Sequence, residues 1–184
     1  MGNALSKIAA AILAVVLIFL FPAVQSAQRQ EDIRVLSAYN TLVQFTDAVR
    51  SKGYVSAEMY EDFSRELETT GAAYDIELEH RHKKYHPEYK DPADPTTFMD
   101  EFSVVYDSNY TSDILKMLFP SALPAGGPVL RKYRLEAGDY LSVTLTKVSR
   151  SPLEVLSGFI YGTAPEGGQT KHLSYGGMVL NEDY

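Results

Sequence analysis

The chain contains no cysteine and no tryptophan. The missing cysteines exclude disulfides, thiolate zinc sites and thiol nucleophiles in one step. A secreted animal domain of this size usually carries disulfides, so their absence favours a bacterial source. Charge is scarce at the start, where Lys7 is the only charged side chain before Arg29. Taking its +1 from the formal −7 leaves −8 for residues 28–184. A domain this acidic has no general attraction to nucleic acid, and none is expected as a partner. Catalytic signatures are missing too: no serine stands in G-x-S-x-G and no H-E-x-x-H occurs.

What is present begins with an apolar run. Ile8 to Val24 reads IAAAILAVVLIFLFPAV without a charge. At a helical rise of about 1.5 Å, it spans roughly 26 Å, close to the thickness of a bilayer core. Pro22 stands near its end, where a kink or stop costs least. Two readings fit. The run is a retained single-pass anchor, or it is the core of a cleaved signal peptide ending around Val24-Gln25-Ser26. Either one sends the domain across the membrane, so the expected location is the cell membrane with the C-terminal domain outside, or, after cleavage, secretion. Lys7 on one side and Arg29 and Arg34 on the other give no orientation by charge. Met1-Gly2-Asn3-Ala4-Leu5-Ser6 matches the myristoylation pattern, though an acyl chain would add little beside a spanning helix. The expected organisation is an anchor over residues 1–27 and one α+β domain over 28–184, since 184 residues with 45% hydrophobic content suffice for one real core.

Within the domain, Val35, Leu36, Tyr39, Leu42, Val43 and Val49 recur at helical spacing up to Gly53. Ser56 can cap a second helix with Tyr60, Phe63 and Leu67 on one face and Gly71 as its stop. The period then changes. Ile76, Leu78, His80 and His82 alternate with Asp75, Glu77, Glu79, Arg81 and Lys83, which is strand patterning. Pro87 to Thr97 reads as a loop, Phe102–Tyr106 as a short strand and Ser112–Leu118 as a short helix before Pro120. Ser121–Pro128 reads as a further loop. Val129–Leu135 and Tyr140–Val148 form a hairpin-like unit around Ala137-Gly138-Asp139. Ser151-Pro152-Leu153-Glu154 has the form of a helix start, and strand pieces are expected around Gly176-Gly177. The fold class is α+β, an N-terminal transmembrane helix followed by a helical segment packed on an antiparallel sheet. Thirteen tyrosines, from Tyr39 to Tyr184, suit either contact surfaces or ordinary sheet packing.

The richest chemical cluster is Glu79-His80-Arg81-His82-Lys83-Lys84-Tyr85-His86. His80 and His82 on a strand, or His82 and His86 on a helix, have metal-sharing spacing, but Arg81, Lys83 and Lys84 would repel a cation. An enzyme would need His80, His82 or His86 to converge with acids such as Glu77 or Asp113. Asp91, Asp94 and Asp100, and Asp107, Asn109 and Asp113, lack the calcium-loop spacing. Gly162 to Gly168 has phosphate-loop glycines without the Lys and hydroxyl, and reads as a turn. Asn109-Tyr110-Thr111 is a glycosylation sequon, meaningful only in a eukaryotic secretory host. No residue is therefore assigned to a catalytic, cofactor-binding or metal site, no cofactor is expected, and the chain reads as non-enzymatic.

Four stretches carry a resemblance: MGNALSKIAAAILAVVLIFLFPAVQSAQRQEDI, EHRHKKYHPEY, LEAGDYLSVTLTK and YGGMVLNEDY. Together they resemble membrane proteins encoded beside tight-adherence (Tad/Flp) pilus genes in Gram-positive gut bacteria, a pilin-like or TadE-like group. The resemblance implies a pilin-like or assembly subunit of a cell-surface appendage, anchored in the membrane through residues 8–24, with other pilus or secretion-system subunits as partners. The chain departs from the pilin pattern where Lys7 follows Gly2 by five positions and no Glu interrupts Ile8–Val24. Small Ala9, Ala10, Ala11 and Ala14 suit close helix packing or plain contact with lipid. A second expectation is an anchored or secreted binding module for a peptide, glycan or partner protein.

Overall fold

Helix α1 runs without a break from Gly2 to Lys52, 51 residues, in the computed structural model, which describes residues 2–120, 131–149, 158 and 172–182. At helical rise it is about 77 Å long. Pro22 sits inside it. The ring removes one backbone donor there, and the helix continues past it into the domain. The first half is apolar and bare, with Ile12, Leu13, Phe19 and Phe21 all 60% exposed or more. The second half is amphipathic. Its core stripe is Ala38, Leu42, Phe45 and Val49, each buried. This corrects the expected face, because Leu36 is exposed and Tyr39 lies at the margin. The true stripe holds the i, i+4, i+7 spacing through the small Ala38, which periodicity on large residues passes over.

Gly53 ends α1 in the left-handed region (φ 72°) and donates to the Val49 carbonyl at 2.8 Å. A Cβ there would come within 2.2 Å of the Asn181 carbonyl oxygen, so only glycine fits. Strand β1 (Tyr54–Ser56) leads into α2 (Ala57–Thr69), whose first turn is capped by Ser56 Oγ accepting from Met59 N. Phe63 and Leu67 of α2 are buried, and Phe63 stacks on Phe45 at 4.2 Å. Both the cap and the face agree with the sequence.

The sheet comprises β2 (Tyr74–Tyr89), β3 (Phe98–Tyr110), β5 (Tyr140–Lys147) and β6 (His172–Met178), all antiparallel in the order β3-β2-β5-β6. Helix α3 (Thr111–Leu118) and strand β4 (Lys132–Arg134) complete the described elements, apart from a 3-10 turn at Pro95–Thr97. Leu78, Leu141, Val143 and Leu145 of the sheet meet Ile114 and Leu118 of α3 and the α1 stripe in one core. At the other end of the domain helix, Lys147 and Glu31 form an ion pair with side chains 6% and 9% exposed, tying α1 to the end of β5.

Three expectations are corrected. Residues 132–134 do not pair with β5; β4 joins β1, with Val55 opposite Tyr133. The segment from Pro87 is not wholly loop, because β2 extends to Tyr89 across a bulge between Pro87 and Tyr89. Proline is tolerated there because, among the described residues, β2 pairs only with β3 beyond Arg81, with no ladder on its other edge. Strand β3 is also longer than Phe102–Tyr106. The distal halves of β2 and β3 thus project as a two-stranded arm. Tyr85, Phe102, Val104 and Tyr106 are all exposed on it, and the pairing Tyr85↔Val104 and Pro87↔Phe102 sets them on one face. The expected loop at Ser121–Pro128, helix start at Ser151–Glu154 and turn at Gly162–Gly168 lie outside the described residues.

Candidate functional site

Alternation along β2 carries Leu78, His80, His82 and Lys84 on the core-facing side, passing from apolar to polar where the arm leaves the sheet. The antiparallel register sets His80 beside Leu141 and Arg81 beside Tyr140, so Asp139, one residue before β5, arrives next to His82. Across β3 the same register sets Asn109 beside His80 and Asp107 beside His82. Strand β4 supplies Tyr133.

Asp139 is the hub. Its side chain is 2% exposed, and each oxygen accepts two hydrogen bonds. Oδ2 accepts from His80 Nε2 at 2.8 Å and Glu136 N at 2.9 Å. Oδ1 accepts from His82 Nδ1 at 2.9 Å and Lys83 N at 3.1 Å. The turn is pinned from the other side, where Gly138 N donates to the Val179 carbonyl and Val179 N to the Asp139 carbonyl. Burial alone would raise the Asp139 carboxyl, but these four donors outweigh it and hold the group below its ordinary value.

A carboxylate can only accept, so both imidazoles donate to it, and the tautomers follow. His80, 5% exposed, gives Nε2–H to Asp139, and its Nδ1 meets the Tyr133 hydroxyl at 2.7 Å, accepting from it when Nε2 alone carries a proton. Burial first, then the Asp139 and Asp113 carboxylates, push that hydroxyl up to about 12 against an opposing hydrogen bond from Asn109, so it keeps its proton. His82, 25% exposed, gives Nδ1–H to Asp139, which leaves Nε2 as the ring's unspent nitrogen.

The cluster opens on a cleft of about 590 Å³ whose walls include Lys84, Asn109, Lys132 and Glu136. No serine or threonine lines it among the described residues. Lys84 is ion-paired with Asp107, and the Lys83 ammonium sits over the Tyr85 ring at 4.8 Å on the opposite face. Of the cations expected to repel a metal, Lys83 and Arg81, which pairs with Glu79, lie on the opposite face, while Lys84 stays on the cleft wall with its charge met there by Asp107.

The structure brings together His80 and His82 and leaves His86 exposed further along the arm. Glu77 lies on the other face of β2, and Asp113 pairs with Lys116, so neither of these acids, which an enzyme would need there, hydrogen-bonds the histidines. The acid that does converge is Asp139, which the sequence shows only as a turn residue. Asp91 and Asp94 spend their side chains on the local turn, accepting from Ala93 N and Thr96 N. Chemically, the site offers two oriented imidazoles and an anchored carboxylate facing an open cleft. Comparisons with protein-family models, with curated proteins and with solved structures find no match to this chain.

Proposed function

We propose that this protein is a membrane-anchored, pilin-like structural or assembly subunit of a cell-surface appendage of the Tad type, non-enzymatic, with its sheet domain outside the cytoplasm. The observation that carries the reading is the single helix Gly2–Lys52, apolar and bare in its first half and core-forming in its second. A signal peptide would be severed in mid-helix near Gln25, whereas a subunit held among neighbouring helices keeps the rod whole. Ile33 and Leu36, 66% and 60% exposed beyond the apolar run, continue the bare strip toward the domain, where packing against a neighbour would bury them. Exposed Tyr85, Phe102 and Tyr106 on the arm provide a second contact face of the aromatic kind found in interface cores.

The test is site-specific photocrosslinking in the native host from Ile12, Ile33 and Leu36. Crosslinks to other membrane-anchored subunits, repeating at all three positions, are the expected result. Crosslinks to lipid alone from Ile12 and to nothing from Ile33 and Leu36 would remove the subunit reading. The cleft beside His82 favours one alternative, an anchored binding module, which predicts an unassembled protein with the same anchor.

A further inference from the structure

We propose that His80, His82 and Asp139 form a binding site for one divalent transition-metal ion of the zinc type, with an open coordination position facing the cleft. One nitrogen from each imidazole and one carboxylate oxygen all lie within 4.8 Å of one another. Zinc–ligand bonds of about 2.0–2.1 Å put tetrahedral ligand atoms roughly 3.3 Å apart, so shifts of about 1 Å, closing the wider separations and slightly opening the hydrogen-bonded nitrogen–oxygen contacts, bring the set onto one ion. His82, partly exposed, has room for that shift. Two imidazoles and a carboxylate without thiolate suit zinc among the borderline ions and leave calcium and magnesium poorly served.

The surroundings are those of a ligand set. Tyr133 stands behind His80 at Nδ1 at 2.7 Å, as the outer partner of a metal-bound histidine does. Backbone N–H groups of Lys83 and Glu136 hold the carboxylate in place without using side chains. Metal entry displaces the two N–H···O bonds within the cluster. The His80 ring proton moves to Nδ1 and is donated from there to Tyr133 Oη, whose own hydroxyl hydrogen rotates off Nδ1 toward the cleft that Tyr133 lines, and the His82 proton moves to Nε2. Both rings stay neutral, and the buried carboxylate gains a full positive counter-charge.

The experiment is zinc titration of the full chain in detergent micelles at pH 7.5, by calorimetry with zinc chloride, with cobalt(II) absorption as a second readout. One equivalent is expected, with cobalt bands of low-coordinate intensity. His82→Asn, whose amide still donates to Asp139, should weaken binding at least tenfold, while His86→Asn should leave it unchanged. Ring-nitrogen NMR on the unaltered chain needs no variant: zinc should move His80 and His82 and leave His86 and His172 in place. Absence of saturable binding, equal affinity in His82→Asn, or shifts confined to His86 and His172 would overturn the site.

Discussion

At the scale of single residues, Asp139 bears the most weight. Both of its oxygens take two donors, so Asp139→Asn places an amide NH₂ against two N–H groups whichever way it turns. Each orphaned buried donor costs about 1–3 kcal/mol, so the expected loss is about 3 kcal/mol, read as a lower denaturation midpoint with unchanged slope. The same carboxylate sets a pH dependence. Its folded value lies below the ordinary one, so the unfolded chain binds its proton first as pH falls. The stability it contributes is fully present above about pH 4 and is lost as pH drops through the folded value. Stability measured from pH 6 downward should show that acid limb in the natural chain and a shallower one in Asp139→Asn. Sequence reading reached His80 and His82 through alternation on β2, yet it passed over Asp139. An aspartate after Gly138 is ordinary turn chemistry, and only the β2–β5 register reveals what it faces.

At the scale of elements, local signals were legible wherever a local cause acts. The Ser56 cap, the Gly53 stop, the β2 alternation and the Leu141-Val143-Leu145 stripe all belong to this kind. The pairing of β4 was not legible. Three residues suffice for its ladder with β1, and nothing in Lys132-Tyr133-Arg134 distinguishes that partner from β5. The reach of β2 past Pro87 was hidden for a related reason, since a proline is read as a breaker until the strand's other edge is known to carry no ladder. Between elements, the Glu31–Lys147 pair fastens α1 to the sheet close to the expected membrane surface. Glu31→Gln removes the carboxylate from a nearly dry ion pair and should lower stability by up to about 3 kcal/mol. Replacing both residues, as Glu31→Leu with Lys147→Met, should recover most of that loss. A thermal-melt double-mutant cycle in micelles checks both outcomes, and simple additivity would mean that the two side chains do not act as a pair.

At the scale of the whole molecule, the long helix joins a bare apolar half, long and apolar enough to cross a membrane, to a folded domain. Residues 8–24 match a bilayer in length and composition, and the same helix continues as the spine of an α+β domain whose arm projects from the sheet. The α+β class and a helix long and apolar enough to cross a membrane could be read from the apolar run and the change of period. The continuity through Pro22 could not, because proline in the first half of a helix is compatible with a kink, a stop or neither. That continuity makes retention of residues 8–24 the pivotal point of the proposed function. The decisive measurement is the intact mass of the protein from its native host after separation of membrane and soluble fractions. A mass retaining residues 8–24, confined to the membrane fraction, is the expected result. A species beginning near Gln28 in the soluble fraction would contradict it, and with it the reading of this chain as a membrane-held subunit.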